Sequence, residues 1–256
     1  MKKVAVFLRG NRRVWNYTKE NIFAFCDSLA DQVDYYVALW YVQKSRPIMH
    51  SMKDDFKDKN IKYFNIFESH WNYDAWTGPA YLSSLLNDEK INEEIMSGQQ
   101  YDAVLDTRPD VVFNKSGTVE KPAPWSLGST RLEFEKDIHG WQGLEDHVFF
   151  SDSPTSSLFS NRMNYKNYDQ ANGHYKLLKY CNITNLTPFQ IPSFESRIVR
   201  PTISNQYLSV PPNVAMTPVQ LLSNDWDRLS LADKISLLEK TGIGLDQYLT
   251  GLNLTY

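Results

Sequence analysis

The chain has 256 residues, a formal net charge of −3, and shares of hydrophobic (42%) and charged (22%) residues that are ordinary for a globular protein. This length suits one α/β domain with a small C-terminal appendage, and the slightly acidic charge argues against broad, non-specific nucleic-acid binding. Two cysteines are too few for a disulfide framework and are interpreted as reduced. The first apolar run is too short for a signal peptide or a membrane span, so we expect no transmembrane segment and a cytoplasmic protein.

Apolar runs alternate with helical patterns over the first half of the chain. Buried strands are predicted at residues 3–8, 34–40, 61–67 and 101–106. Helices are predicted between them, at residues 16–31, 49–59 and from 77 or 78 to about 96. This alternation predicts a mostly parallel central sheet with right-handed crossovers and helices on both faces.

Basic residues follow the first predicted strand at once. Arg9 and Gly10 are succeeded by Asn11, Arg12 and Arg13. A glycine lets a ligand approach the backbone closely, and an arginine can hold a phosphate by two parallel hydrogen bonds. We therefore expect an anion cradle here, although the stretch is neither a GxGxxG motif nor a P-loop.

A second polar cluster interrupts the stretch YDAVLDTRPDVVF, residues 101–113. Five residues of this turn separate two apolar runs: Asp106, Thr107, Arg108, Pro109 and Asp110. Charges this dense at the end of a buried strand must reach water or meet a charged ligand, because burying them unpaired is costly. Ligands of open α/β sheets bind at the carboxyl ends of the strands, so the turn is a candidate binding site. The alternative is a solvated turn with an internal Asp–Arg pair.

The regular alternation stops after residue 113. Residues 114–130 are rich in Lys, Pro, Gly and Ser and are predicted to form a loop. Shorter elements follow, with strands at 130–134 and 148–150, a helix from Pro154 and a helix at 172–180. Residues 1–216 are predicted to form one domain, and residues 217–256 to form short helices packed on it, because about 40 residues rarely hold a core of their own.

Asp152 and His174 are further candidates for chemistry in this second half. Asp152 follows the short strand at 148–150, and we expect it at the same sheet edge as Asp110. The alternative is that Asp152 caps the helix that starts at Pro154. His174 is either a metal ligand or a histidine on a helix surface.

Four segments, in this order and spacing, resemble bacterial and phage glycosyltransferase-like proteins with a GT-A-type fold. They are VAVFLRGNRRVW, YDAVLDTRPDVVF, DHVFFSDSPTSSLF and GHYKLLKYCNI, and together they cover about residues 3–181. The resemblance implies a GT-A-like α/β fold with a Rossmann-like central sheet. It also implies a transferase that moves a sugar from a nucleotide-sugar donor to a glycan or lipid-linked glycan acceptor of the surface polysaccharide or lipopolysaccharide type.

The resemblance assigns the donor's nucleotide and phosphates to two places in this chain. Arg9, Gly10 and Arg13 would contact the nucleotide, and Thr107 and Arg108 would lie at the phosphates. The first loop differs from that of the family, because it begins with Arg9 rather than a small residue and therefore adds positive charge.

The resemblance also implies a divalent cation, Mn²⁺ or Mg²⁺, held on the diphosphate by Asp110 and Asp106. This chain departs from the family here, because Asp106 stands where relatives often have arginine and the Arg108-Pro109-Asp110 stretch is half of a regular DxD motif. The negative charge that grows on the leaving phosphate would be stabilised either by such a cation or by arginines directly. Asp152 would supply the base for the acceptor hydroxyl.

Two other functions use a similar sheet. One is a non-catalytic protein of the same fold that binds a nucleotide or a glycan. The other is a nucleotidyltransferase, which usually has a first loop rich in lysine and glycine that this sequence lacks.

Overall fold

The computed structural model describes residues 1–11, 15–41, 52–68, 77–135, 142–164 and 173–199. Arg13 and the predicted C-terminal extension at 217–256 lie outside these residues.

The described elements comprise eleven strands and four α-helices. The strands are β1 (Lys3–Asn11), β2 (Gln32–Tyr41), β3 (Asn60–Glu68), β4 (Ala103–Thr107), β5 (Val111–Lys115), β6 (Ser126–Ser129), β7 (Leu132–Glu133), β8 (Gly143–Leu144), β9 (Val148–Ser151), β10 (Thr187–Gln190) and β11 (Phe194–Ile198). The helices are α1 (Trp15–Asp27), α2 (Thr77–Ser97), α3 (Ser153–Ser160) and α4 (Gly173–Ile183), with 3-10 turns at Met52–Phe56 and Asn161–Asn164.

Seven strands form the central sheet in the order β10-β6-β9-β4-β1-β2-β3. Neighbouring strands are parallel except at β9, which runs antiparallel to both β4 and β6. The chain builds outward from β1 to β3 and then returns to place β4 on the other side of β1. The prediction of an α/β fold with a mostly parallel, helix-flanked central sheet is confirmed. The strand order reverses between β1 and β4, and such a switch point is where open α/β sheets bind ligands.

Strand β1 is buried on both faces, as its continuous apolar sequence requires. Val4, Val6 and Leu8 pack in one hydrophobic cluster with residues of α1, while the alternating Ala5 and Phe7 pack in a second cluster with residues of α2. Helices therefore cover both faces of the sheet beside β1 and β4. Aromatic rings fill the α1 face, where Phe23 and Phe56 contact each other and each also contacts Trp15 and Tyr35.

Two predicted elements differ from the structure. The loop predicted at 114–130 contains β6, whose sequence SLGS has no hydrophobic alternation. A Cβ on its Gly128 would lie 2.7 Å from the ring of Phe189, so glycine is needed where β10 packs closely. The polar helix predicted at 49–59 is, in its described part, the 3-10 turn Met52–Phe56. Strand β5, which follows the polar turn, lies outside the central sheet and pairs with β11.

A helix that spans a membrane must be both long and apolar. Among the helices that the structure describes, none meets both conditions.

Candidate functional site

The carboxyl ends of β1 and β4 bring the two polar clusters of the sequence together. The strands are parallel neighbours, with Leu8 opposite Thr107, so the end of β1 lies beside the turn that follows β4. A Cβ on Gly10 would lie 4.0 Å from Cδ of Pro109, and Gly10 has φ +116°, a conformation that favours glycine. The Thr18 hydroxyl of α1 donates to the carbonyl of Pro109 over 2.5 Å and holds the turn against the helix.

Arg9 lies inside the sheet rather than in a loop, because β1 continues to Asn11. Its Nε donates to Oδ1 of Asp106 over 2.5 Å, and a terminal nitrogen donates to the carbonyl of Asp146 over 3.2 Å. The second oxygen of Asp106 accepts from the Ser83 hydroxyl of α2 over 2.7 Å. Arg9 and Asp106 are both buried. The expectation of a basic loop that begins at Arg9 is therefore wrong. The Arg9–Asp106 ion pair forms the buried floor of the site.

Arg108 and Asp110 form a bidentate ion pair in the turn after β4, at the same carboxyl ends of the strands. Nε and a terminal nitrogen of Arg108 donate to the two oxygens of Asp110 over 2.8 and 2.7 Å. The Asp110 side chain is 1% exposed and the Arg108 side chain 16% exposed. Burial opposes the charge of Arg108, but Asp110, Asp146 and Glu145 outweigh it and raise the pKa of the guanidinium. Asp110 thus fixes the orientation of a permanently charged arginine that reaches solvent.

The donor set of Asp106 and Asp110 does not fit a Mn²⁺ or Mg²⁺ ion. Each of the four carboxylate oxygens accepts a hydrogen bond, three from arginines and one from Ser83. A hard divalent cation needs such oxygens for itself and would have to displace positively charged donors that already neutralise them. Within the described segments, no group of three or more His, Cys, Asp or Glu side chains is arranged to hold a metal.

Thr107, the remaining residue of the turn proposed to contact phosphate, is fully buried. Its hydroxyl has no hydrogen-bond partner among the described residues. Thr107 therefore does not present its side chain at the solvent-facing mouth that Arg108 occupies.

Asp152 lies at the opposite end of the strands from Asp110, near the amino end of β4. Strand β9 is antiparallel to β4, and its last residue, Ser151, pairs with Val104 near the start of β4. Asp152 caps α3, where its carboxylate accepts a hydrogen bond from the Thr155 backbone nitrogen over 3.0 Å. The expectation that Asp152 shares an edge with Asp110 is wrong, and the capping alternative is confirmed.

The antiparallel direction of β9 places the start of that strand, rather than its end, at the site. Three residues that precede β9 cluster there: Glu145, Asp146 and His147. Nδ1 of His147 lies 3.0 Å from Oε1 of Glu145, and Nε2 lies 3.1 Å from Oδ1 of Asp146. The other oxygen of Glu145 accepts from the Thr130 hydroxyl over 2.8 Å. Sequence reasoning missed these residues, although two carboxylates and a histidine before an apolar run are a usable signal once the strand direction is known.

Positive charge around this cluster keeps both carboxylates ionised. Burial would raise the pKa of Glu145, but the nearby His147 and the hydrogen bond from the Thr130 hydroxyl lower it below its ordinary value. Burial likewise opposes ionisation of Asp146, yet His147, Arg108, His174 and Arg9 together lower its pKa. The edge therefore combines an oriented arginine with an ionised carboxylate, which is the charge pattern of a site for anion binding and proton transfer.

His174 joins the site through the first turn of α4. Its Nδ1 lies 2.9 Å from the carbonyl oxygen of Leu144 in β8, and its side chain is half-buried. The contact is close because Gly143 lacks a side chain. A Cβ there would lie 2.2 Å from the carbonyl carbon of His174, and Gly143 has φ +127°.

Gly143→Ala is expected to lower the free energy of unfolding by roughly 3 kcal/mol, because the methyl group overlaps the backbone of α4 and φ is unfavourable. Gly98→Ala is the matched control, since Gly98 also has positive φ (+66°) but has nothing within 4 Å of the added Cβ. It should cost only about 1 kcal/mol. Urea denaturation followed by circular dichroism measures both losses, and equal losses would show that the contact with α4 is not tight.

Comparison with known proteins does not assign this chain to a family. No protein-family model matches the chain, and no curated protein sequence matches it.

Proposed function

We propose that the protein is a glycosyltransferase of GT-A type that binds a nucleotide sugar at the carboxyl edge of β1 and β4. It would act in the cytoplasm and transfer the sugar to a glycan or lipid-linked glycan acceptor. One observation carries the proposal: Asp110 orients the charged Arg108 at the switch point of the sheet, where ligands of such sheets bind. Asp146, whose pKa is lowered, lies at the same place. The resemblance of four ordered segments supports the choice of a nucleotide sugar among anionic ligands.

Arg108 has the properties that departure of a nucleoside diphosphate demands. Negative charge grows on the leaving phosphate oxygen as the bond to the sugar lengthens, and a fixed cation stabilises that charge with little reorganisation. Asp110 removes most of the freedom of the guanidinium before the ligand arrives. A Mn²⁺ or Mg²⁺ ion, as the resemblance implies, would need ligands other than the four engaged oxygens of Asp106 and Asp110.

A protein that binds a nucleotide or a glycan without turnover is the alternative. It is favoured by the neutralisation of Asp106 and Asp110 by arginines, because such pairs suit a rigid binding site as well as a catalytic one. Turnover separates the two functions.

A screen of donors tests the proposal. UDP-glucose, UDP-galactose, UDP-N-acetylglucosamine and GDP-mannose are added singly to the full chain, and the unfolding temperature is recorded. A donor at 100 times its Kd should stabilise the fold by about 2.7 kcal/mol. Release of nucleoside diphosphate from the stabilising donor, with oligosaccharides as acceptors, is the expected result. Stabilisation without release would favour the binding protein, and no stabilisation by any donor would contradict both.

A further inference from the structure

We propose that Asp146 is the carboxylate that takes the proton from the acceptor hydroxyl, with His147 and Glu145 as its positioning residues. The inference rests on the glycosyl transfer proposed above. It assigns to Asp146 the role of catalytic base that the sequence analysis assigned to Asp152.

Access to solvent distinguishes Asp146 from the other aspartates of this edge. The side chains of Asp106 and Asp110 are 7% and 1% exposed, whereas that of Asp146 is 37% exposed. Both oxygens of each buried aspartate already accept hydrogen bonds. Asp146 is therefore the one of these three that an acceptor hydroxyl can reach.

A chain of charge contacts links Asp146 to Glu145 through His147. Oδ1 lies 3.1 Å from Nε2 of His147, whose Nδ1 lies 3.0 Å from Glu145. Glu145 is held in turn by the Thr130 hydroxyl and by a hydrogen bond from the Ser129 hydroxyl to its carbonyl oxygen over 3.0 Å. Among the described residues, none donates to Oδ2 of Asp146, so this oxygen faces the acceptor in the proposal.

Among the described residues, the positive groups that act on Asp146 come from three other elements and from its own segment. Arg9 belongs to β1, Arg108 to the turn after β4, and His174 to α4, while His147 follows Asp146 in the chain. Together they lower the pKa of Asp146, which favours its carboxylate form before the reaction. A carboxylate in this state accepts a proton as the acceptor oxygen becomes a nucleophile.

The proposed step transfers one proton and exchanges one bond at the anomeric carbon. The acceptor oxygen forms a bond to the anomeric carbon of the donor while its proton passes to Asp146. The bond between that carbon and the diphosphate oxygen breaks, and its electron pair leaves with the diphosphate beside Arg108. Loss of the proton from Asp146 to water restores the enzyme.

Azide provides a test that a structural role of Asp146 cannot imitate, because azide is an anionic nucleophile with no proton to remove. The donor that gives the largest shift in the screen is incubated with the parent protein and with Asp146→Ala, once with water as acceptor and once with sodium azide. The variant should lose roughly 10²- to 10⁴-fold in the water reaction. Its azide reaction should stay within about threefold of the parent, the range expected when proton removal is not needed.

Further variants keep the test decisive. Asp146→Asn preserves size, so it replaces Asp146→Ala if the latter does not fold, and it should show the same selective loss. Asp102→Asn, at the other end of β4, is the matched control and should behave like the parent. Equal loss of both reactions in the Asp146 variants, or loss of neither, overturns the role of Asp146. Failure of the parent to release nucleoside diphosphate in any reaction is a different result and overturns the glycosyl transfer itself.

Discussion

Asp106→Ala is expected to lower the free energy of unfolding by about 3–5 kcal/mol, because it leaves the charge of Arg9 buried without its carboxylate. Arg9 is 1% exposed, and its Nε hydrogen bond goes to Asp106. A second buried guanidinium, that of Arg162, donates to the neighbouring Ser83 hydroxyl over 3.3 Å, so Asp106 is the counter-charge in a region of positive potential. Urea denaturation measures the loss.

Two variants identify charge as the cause. Ser83→Ala removes one hydrogen bond to Asp106 but leaves the ion pair, and it should cost only about 1.5–3 kcal/mol. Replacement of both charges, Arg9→Met with Asp106→Leu, should recover most of the stability that Asp106→Ala loses, since apolar replacement of a buried pair is often neutral. The explanation fails if Asp106→Ala costs no more than Ser83→Ala, or if the double variant is less stable than the single one.

Arg108→Met is expected to weaken donor binding by roughly 10²-fold, equivalent to about 3 kcal/mol, because it removes the cation that meets the diphosphate. Asp110→Asn should weaken binding by only about tenfold, since the amide still accepts a hydrogen bond from Arg108 and the guanidinium remains charged. Isothermal titration calorimetry with the donor found in the screen compares the two variants, and circular dichroism verifies that each is folded.

The opposite ranking has a definite meaning. If Asp110 holds a metal ion on the diphosphate, Asp110→Asn is the more damaging change and Arg108→Met the milder one. Binding by both variants with the affinity of the parent would show that the turn is a solvated loop and that the donor site lies elsewhere.

The sequence predicts the central sheet well, because its strands carry strong local signals. The runs that contain Val4 to Leu8 and Ala103 to Leu105 are continuously apolar and form the parallel strands β1 and β4. The polar turn at Arg108 and Asp110 is likewise predictable, since charged residues directly after such a strand mark its carboxyl end. Each of these features depends on residues that are neighbours in the chain.

The misplacement of the base has a physical origin in strand direction. A strand of four residues, such as β9, has the same local pattern whether it runs parallel or antiparallel to β4. When the direction of the strand is reversed, the residues before it, rather than those after it, lie at the carboxyl end of β4. Asp146 and His147 therefore occupy the position that was expected for Asp152. Pairing partners decide the direction, and they are distant in sequence.

The length of β1 also cannot be predicted from its local sequence. Arg9 and Gly10 resemble the start of a loop in composition, but they pair with Ala38 and Leu39 of β2. A charged side chain can remain in a buried strand when its partner, here Asp106, comes from the neighbouring strand. This pairing depends on the strand order and cannot be deduced from either segment alone.

Calorimetric titration of the parent protein with its donor in EDTA, repeated with Mn²⁺, tests the central claim that Arg108 rather than a metal on Asp110 and Asp106 neutralises the diphosphate. We expect the Kd in EDTA to stay within about threefold of the Kd with Mn²⁺, because the arginine's charge does not depend on an added ion. Loss of binding in EDTA with full recovery in Mn²⁺ would contradict the claim.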